Sequence, residues 1–226
     1  MAKPFVKWVG GKSQLIPEIT QRLPEYVKNG KPYIYVEPFS GSAAVALHLL
    51  DSGHPPSAII LNDINTDLVN LYKVVKSNPH ELLAYLKTLQ VEYDELEDKE
   101  AKQPYYYTKR EEFNTREADD IKHAGLFIFL NRAGFNGLYR VNSKNKFNVS
   151  IGSYKKPNFV FEDIILQASK VLANVEIYNQ SYEDTLSHLE QFNKSNLPAF
   201  FYFDPPYKPL SESSSFTSYS KDSFDD

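Results

Sequence analysis

The stretch Phe200-Phe201-Tyr202-Phe203-Asp204-Pro205-Pro206-Tyr207 decides how this chain folds. Its run of aromatic residues predicts a strand, and the prolines end that strand because proline cannot donate to a ladder. Proline also restricts the preceding residue to extended backbone, so Asp204 and Pro205 are both held in that conformation. We therefore expect the strand to end in a carboxylate and a carbonyl that point the same way. A strand followed by an ordinary proline turn is the alternative interpretation.

The two acceptors at the end of this strand suit a particular chemistry. Asp204 and the carbonyl of Pro205 can accept both N–H bonds of an exocyclic amine such as that of adenine. Hydrogen bonds to both protons favour a tetrahedral nitrogen, whose lone pair is no longer delocalised into the ring and can attack a methyl sulfonium. The acceptors then lie where positive charge develops. Tyr207 offers a face on which a base removed from a duplex can stack. The motif thus predicts methyl transfer to an amino group.

Composition and charge exclude several other classes of protein. The 226 residues, of which 42% are hydrophobic, can form one large domain or a core domain with an insert. The chain has no cysteine, and its five histidines show no ligand spacing, so we predict no disulfide and no metal site. It has neither an apolar signal segment nor a run of membrane-spanning length, which predicts a cytoplasmic protein. The net charge of −4 requires any nucleic-acid surface to be local.

A basic stretch provides such a surface. Between Lys122 and Pro157 there are seven Lys or Arg residues and no Asp or Glu, and six aromatic residues are interleaved with them. This mixture is typical of segments that neutralise phosphates and stack on bases. The apolar run Leu126–Leu130 inside it predicts a buried helix. The polar segment Asn142–Asn145 lies between two alternating runs and predicts a β-hairpin, a shape that the major groove admits.

The first third of the chain predicts a cofactor site. Residues 33–45 predict a strand, a tight turn at Gly41 and a helix that opens on small residues. Asp63 follows the next strand, 22 residues beyond Gly41, about where nucleotide-binding βαβ units place an acid for ribose hydroxyls. The glycine triplet of dinucleotide folds is missing, and Glu37 adds negative charge, so a cationic sulfonium with an adenosine tail fits better than a pyrophosphate. Asp63 also stands where it could cap the next helix.

The segment Lys7-Trp8-Val9-Gly10-Gly11-Lys12 is a weaker signal. Its Gly-Gly-Lys triplet lacks the spacing of a phosphate-binding P-loop. Trp8, between two lysines and near glycines, is consistent with a backbone segment that folds over a flat ligand.

Taken together, and in this order, the motifs resemble the Dam family of adenine-N6 DNA methyltransferases, within the alpha group of amino methyltransferases. The resemblance runs almost from end to end. The segments that carry it are 7–12, 36–42, 61–65, 110–114, 130–132, 139–142, 147–149, 154–157 and 204–207.

The resemblance implies a fold and a division of the chain. The fold would be α/β, a Rossmann-like S-adenosylmethionine-dependent methyltransferase core with a mostly helical DNA-recognition insert that carries a β-hairpin. Residues 1–70 and 176–226 would form the core, and residues 71–175 the insert. The activity would be methylation of adenine N6 in duplex DNA by base flipping, at GATC or a related site. Ser150, however, stands where GATC-modifying members usually have a proline.

The resemblance also implies roles for individual residues. The residues of the tetrad would be catalytic, namely Asp204, Pro205, Pro206 and Tyr207. The residues that bind the S-adenosylmethionine cofactor would be Trp8, Gly10, Gly11, Lys12, Glu37, Pro38, Phe39, Gly41 and Asp63. The residues that bind DNA would be Lys7, Arg110, Asn114, Phe135, Asn136, Leu138, Arg140 and Asn142. Among these, Lys7, Leu138 and Arg140 would read the target, Phe135 would wedge into the duplex, and Arg110 and Asn142 would contact phosphates.

The expected partners are double-stranded DNA on the nucleoid and, for members of restriction–modification systems, a cognate restriction endonuclease; no membrane partner is expected. Two alternatives stay open. Because the family continues well past the tetrad, a chain that ends at Asp226 could be a truncated fragment that binds DNA without turnover and tends to aggregate. The substrate could also be RNA or a protein glutamine, since enzymes of both kinds share an Asn/Asp-Pro-Pro-Tyr tetrad.

Overall fold

The structure is a computed structural model that describes residues 2–206. Four strands, β1 (Ile34–Glu37), β2 (Ala58–Asn62), β3 (Val175–Tyr178) and β4 (Ala199–Phe201), form a parallel sheet in the order β3-β2-β1-β4. All of β1 and most of β2 are buried, as expected for parallel strands with both faces covered. The mixed α/β fold expected from the sequence is confirmed.

Helices surround this sheet. In chain order they are α1 (Ile16–Gln21), α2 (Glu25–Lys28), α3 (Ala44–Leu50), α4 (Thr66–Ser77), α5 (Pro79–Asp94), α6 (Lys99–Thr115), α7 (Asp120–Ala133), α8 (Glu162–Leu172) and α9 (Thr185–Phe192). Short 3-10 turns lie at Lys12–Leu15, Phe135–Gly137 and Tyr182–Asp184. None of the helices between residues 2 and 206 is long and apolar enough to cross a membrane.

The register of the sheet places the carboxyl ends of the strands side by side. Glu37 pairs with Leu61, Asn62 pairs with Tyr178, and Val36 pairs with Phe201. The chain leaves β1 for β2 on one side, whereas β4 lies on the other side, so the strand order reverses next to β1. In open parallel sheets, ligands bind beyond the carboxyl ends at this kind of reversal.

Helix α7 forms the centre of the region between β2 and β3. Its residues from His123 to Leu130 are all buried, which confirms the buried helix predicted there. Asp119 begins α7 by accepting a hydrogen bond from the Lys122 amide at 2.9 Å. The boundary expected between residues 70 and 71 lies inside α4, which packs on α7 and donates from Lys76 to the Val175 carbonyl of β3.

The predicted hairpin is present as a short antiparallel pairing without regular strands. Val141 pairs with Phe147, and the Asn142 amide donates to the Lys146 carbonyl at 2.9 Å. A side chain holds the backbone groups of Phe147, which face away from Val141: Asn114 accepts from the Phe147 amide at 2.7 Å and donates to its carbonyl at 3.0 Å. Asn114 thereby fastens the hairpin to α6.

Candidate active site and nucleic-acid interface

Glu37, the last residue of β1, is a buried carboxyl at the carboxyl end of the sheet. Only 3% of its surface is exposed, and its Oε2 accepts a hydrogen bond from the Tyr35 hydroxyl at 3.0 Å. Burial raises the pKa of Glu37 to about 8, although hydrogen bonds from Tyr35 and the Ala46 backbone oppose the shift. The charges of Asp204 and Asp63 raise it further. This end of the sheet therefore holds a carboxyl group that is mostly protonated at neutral pH, and a bound cation would lower its pKa and favour the carboxylate.

Asp63 fastens the loop after β2 to the loop after β1. Its carboxylate accepts from the Gly41 amide and from the Asn65 amide, each at 2.9 Å. Burial raises its pKa, and these two hydrogen bonds act in the opposite direction. The expectation that Asp63 could cap the next helix is wrong, because Asn65 is the cap of α4 and accepts from the Leu68 amide at 2.9 Å.

Gly41 forms the tight turn that the sequence predicts. Its φ of +46° lies in the left-handed region, and a Cβ there would come within 3.0 Å of the Trp8 ring. Its carbonyl accepts from the Tyr72 hydroxyl at 2.8 Å. The turn therefore requires glycine both for its conformation and for the close approach of Trp8.

The N-terminal segment reaches the tetrad through an ion pair. The Nζ of Lys12 lies 2.6 Å from Oδ2 of Asp204 and also donates to the Gly10 carbonyl at 2.8 Å. Only 13% of the Lys12 side chain and 23% of the Asp204 side chain are exposed. The residues around Lys12 form a turn in which Gly10 has a φ of +77° and the Gly11 amide donates to the Trp8 carbonyl at 3.1 Å. The turn thus presents an ammonium group to the carboxylate that follows β4.

The start of the tetrad continues directly from β4. The amide of Tyr202 donates to the Val36 carbonyl at 2.9 Å, which extends the pairing with β1 beyond Phe201. Asp204 is half-buried, and both Pro205 and Pro206 are exposed. Tyr207, the fourth member, lies outside the described residues. We call the group formed by Lys12, Glu37, Gly41, Asp63 and Asp204 the catalytic edge.

Two further residues organise this edge and were not singled out from the sequence. Asn62 is buried and donates to the carbonyls of Pro38, at 3.1 Å, and Gln180, at 3.0 Å. Tyr182 stacks on Phe39 with ring centroids 5.2 Å apart. Asn62 directly precedes Asp63, which was identified from the sequence. The sequence signal for Asn62 was that a polar residue ends a buried strand. Tyr182 had no local signal.

Several predicted DNA-binding residues lie together on another face of the molecule. The backbone of Lys7 is held by Asn131, which accepts from its amide and donates to its carbonyl, both at 2.9 Å. The Lys7 ammonium lies 4.5 Å from the ring centroid of Tyr154 and 3.3 Å from its hydroxyl. Gly137, with a φ of +67°, approaches so closely that a Cβ would overlap the Lys7 side chain. The N-terminal lysine and the loop after α7 therefore form one surface.

The loop after α7 presents its side chains outward. Phe135 is 53% exposed, although it is a large aromatic residue, and Asn136 is exposed with a φ of +53°. Leu138 is half-buried beside them. An exposed phenylalanine on a structured loop suits insertion between bases. We call the surface formed by Lys7, Phe135, Leu138, Arg140 and Tyr154 the reading face.

Arg140 is held in place by its own hairpin. Its Nε donates to Oδ1 of Asn148 at 2.7 Å, and the Arg140 carbonyl accepts from the Asn148 amide at 3.1 Å. Asn142 forms the turn, where its Oδ1 accepts from the amides of Lys144 and Lys146 at 2.9 and 3.0 Å. These bonds fix the direction of the guanidinium before any ligand arrives.

Arg110 lies behind the hairpin on α6. Its guanidinium stacks on the ring of Tyr107 at 4.6 Å and lies 3.5 Å from both the Val149 carbonyl and the Glu111 carboxylate. Arg110 and Arg140 therefore contact neighbouring residues of one segment, since Arg140 donates to the Asn148 carbonyl at 3.4 Å. The roles of Arg110, Asn114 and Asn142 in DNA binding stay predictions.

Fold and site together define a class of protein. It is an α/β protein with an acidic ligand site where its parallel strands end, and with an appended helical region that carries a basic, partly aromatic face. This combination is expected of an enzyme that acts on a nucleic acid.

Comparison with known proteins agrees with this class. The family model described as D12 class N6 adenine-specific DNA methyltransferase matches residues 8–226. The "Type II methyltransferase M.MjaIII" of Methanocaldococcus jannaschii is 42% identical over 226 residues, covering 99% of this chain and 75% of that protein. The "Type II methyltransferase M1.LlaDCHI" of Lactococcus lactis subsp. cremoris is 36% identical, covering 98% and 72%. The "DNA adenine methylase" of Escherichia coli K12 is 37% identical, covering 98% and 71%.

The chain belongs to the D12 class N6 adenine-specific DNA methyltransferase family. It is an enzyme of the DNA adenine methyltransferase type, and DNA is its substrate. The resemblance stated from the sequence motifs is confirmed.

Proposed function

We propose that the methyl donor is S-adenosylmethionine and that it binds at the catalytic edge. Glu37 is a buried acid and Asp63 a half-buried acid beside the tight Gly41 turn, where backbone can approach a ligand closely. These two acids suit a cation, which would stabilise the ionised form of Glu37, whereas a pyrophosphate would gain no favourable charge interaction from them. When bound, S-adenosylmethionine supplies a methyl group on a cationic sulfonium.

The rings near this edge support the placement of an adenosine tail. Phe39 is stacked on Tyr182, and Ile64, directly after Asp63, is 57% exposed. We propose that these apolar faces hold the adenine ring of the donor, while Asp63 takes its ribose hydroxyls. Trp8, which packs against Gly41, covers the donor from the side of the N-terminal segment.

The Lys12–Asp204 ion pair is the observation that carries the proposed chemistry. It balances the charge of Asp204 and holds the carboxylate at the end of β4 before a substrate arrives. We propose that Asp204 and the Pro205 carbonyl accept the two N–H bonds of the target adenine. The adenine N6 then forms a bond to the methyl carbon as the sulfur–carbon bond breaks, and one N6 proton leaves to water. Acceptors already in place stabilise the charge that develops on N6.

For the DNA, we propose that the reading face contacts a duplex and that the target adenine is flipped into the catalytic edge. Phe135 is exposed enough to enter the gap that the base leaves. Arg140 and Lys7 are the cations of this face. Arg140 is better suited to a bidentate contact with guanine, because Asn148 holds its guanidinium in place. The proposed target is GATC or a related site, with Ser150 as the position where a departure from GATC would arise.

We further propose that residues 71–175 act as the recognition insert and that residues 1–70 and 176–226 act as the catalytic core. Under this proposal the enzyme works in the cytoplasm, on the DNA of the nucleoid. Its partner in a restriction–modification system would be a restriction endonuclease of the same specificity, which cuts only unmethylated DNA.

The test of the proposed function uses S-adenosylmethionine with a labelled methyl group. Purified protein is incubated with duplex DNA, with RNA of the same sequence and with a glutamine-containing protein. Label is expected in DNA only, on adenine N6, and sequencing of modified bases in the DNA of expressing cells then identifies the site. Label in RNA or protein but not in DNA would contradict the proposal.

A further inference from the structure

Tyr139 lies between the two functional regions of the molecule. Its ring stacks on Trp8, with centroids 5.5 Å apart and planes 28° apart, and on Phe127, with centroids 5.3 Å apart. It is buried, with 4% of its surface exposed. Trp8 in turn packs on Gly41 of the catalytic edge. The rings therefore form a continuous stack from the Gly41 turn to α7.

The residues that are proposed to read the target adjoin this stack in the chain. Lys7 precedes Trp8, and Arg140 follows Tyr139. The stacked pair of rings therefore sets how far apart the backbones of the two cations lie. A shift of Trp8 on binding a cofactor would pass to Tyr139 and from there to Arg140.

A buried carboxylate holds the outer end of Tyr139. Oδ2 of Asp67, in the first turn of α4, accepts from the Tyr139 hydroxyl at 2.7 Å and from the guanidinium of Arg116 at 3.1 Å. Its Oδ1 lies 2.9 Å from Nε2 of His123. Asp67 is only 4% exposed. All three partners come after α5 in the chain, whereas Asp67 lies at the start of α4, four residues beyond Asp63.

The charges of this cluster favour a fixed arrangement. Burial by itself would raise the pKa of Asp67, but hydrogen bonds from His123 and Tyr139 and the charge of Arg116 hold it below its usual value. A hydrogen bond to an ionised acceptor is stronger than one between neutral groups. Loss of the Tyr139 hydroxyl would therefore loosen one end of the ring stack without changing its shape.

We propose that Tyr139, held by Asp67, is a positioning residue that couples cofactor binding at Trp8 to the reading of the target by Arg140. The inference rests on the proposed function, because it needs a cofactor at the catalytic edge and DNA on the reading face. It adds two residues, neither of which contacts the reacting atoms. Coupling of this kind is reciprocal, so DNA that carries the target must also tighten cofactor binding by the same factor.

The coupling can be measured through Trp8, the single tryptophan of the chain. Its emission is titrated with S-adenosylhomocysteine, which cannot donate a methyl group, with and without a duplex that carries the identified site. The ratio of the two Kd values is the coupling factor, and about 5- to 150-fold is typical. Tyr139→Phe keeps the stacked ring but removes the hydroxyl. We expect this variant to lower the coupling factor about tenfold, or to one if the wild-type factor is below ten.

Tyr105→Phe is the matched control. Tyr105 also donates its hydroxyl to a carboxylate, Glu92, at 2.6 Å, but on the side of α6 that faces α5. It is expected to keep the wild-type ratio. Asp67→Asn, which keeps both the ring and the shape of the acid, is measured in parallel and should lower the ratio as Tyr139→Phe does. Thermal unfolding of each variant establishes that it is folded at the assay temperature.

Several outcomes would overturn the inference. A wild-type ratio of one, an unchanged ratio in folded Tyr139→Phe or Asp67→Asn, or an equal fall in Tyr105→Phe would each do so while leaving the methylation of DNA intact. A wild-type protein that neither binds S-adenosylhomocysteine nor methylates DNA would overturn the proposed function as well. The two failures are therefore distinguishable.

Discussion

The catalytic edge and the reading face are built by opposite means. At the catalytic edge, acids are held by backbone amides, a buried hydroxyl and one lysine, in contacts that are buried or part-buried. On the reading face, Phe135 is 53% exposed and the two cations are half-buried, while hydrogen bonds hold the backbone of Lys7 and the guanidinium of Arg140. The difference shows that the chemistry is preorganised in the protein, whereas recognition needs side chains that reach beyond it.

The largest effect is expected at the catalytic edge, from Asp204→Ala. The change removes one of two acceptors for the target amine, and loss of one preorganised transition-state partner costs about 10²–10³ in rate. Single-turnover methylation measures this loss, and Trp8 emission measures cofactor binding, which should survive. Glu190→Ala, on the exposed surface of α9, is the control and should keep full activity. Near-normal turnover in Asp204→Ala would show that the carboxylate is not an acceptor for the amine.

Glu37 makes the stability of the catalytic edge sensitive to pH. The pKa of Glu37 is about 8 in the folded protein, against an ordinary value of 4.5 for the unfolded chain. Between these two pH values the folded state therefore binds more protons than the unfolded state. The contribution of Glu37 to stability is therefore fully present below about pH 4.5 and is lost as the pH rises through 8, a change on the order of 5 kcal/mol. Chemical denaturation of the wild type and of Glu37→Gln, from pH 5 to pH 8, isolates this difference. Parallel pH profiles for the two proteins would contradict the assignment.

On the reading face, the sharpest contrast is between two arginines. Arg140→Ala should relax discrimination at one base pair by roughly 1–3 kcal/mol, because a bidentate contact to guanine is lost. Arg110→Ala should weaken binding to all sequences about equally and flatten its dependence on salt. Competition binding with a set of single-base variants of the site, at two salt concentrations, separates the two patterns. If both variants behave alike, Arg140 does not read the sequence.

The smallest effect is expected from substitution of a glycine, and it is a loss of stability. Gly41→Ala forces an alanine into the left-handed region and moves its Cβ to within 3.0 Å of Trp8, so we expect a loss of about 1–2 kcal/mol in stability. Gly53→Ala is the matched control, since no atom lies within 4 Å of its added Cβ and its φ is not positive. Thermal unfolding gives the loss of stability, and the emission of Trp8 should change in the first variant only.

Patterns in the sequence were sufficient for β1, β2 and β4, the turn at Gly41 and the buried helix α7, but they did not indicate β3. Each depends on neighbouring residues, such as an apolar run or a glycine between a strand and a helix. The helix cap was assigned less well: Asp63 and Asn65 are both good caps, and only the position of the Gly41 amide shows that Asp63 is used elsewhere. The hairpin was recognised, but its attachment to α6 was not, because Asn114 lies 33 residues away from Phe147.

By itself, the sequence determined the family, the type of reaction and the ends of the strands where acids would lie, because these follow from short motifs and from local periodicity. The tertiary structure alone decided which distant groups meet. Lys12 pairs with Asp204 across most of the chain, and Asp67 collects Tyr139, Arg116 and His123 from three separate segments. Such partners depend on how helices and strands pack, and a charged residue carries no local mark of the partner that it will find. For this reason the chemistry could be read from the motifs, while the connection between the catalytic edge and the reading face became visible only in the folded molecule.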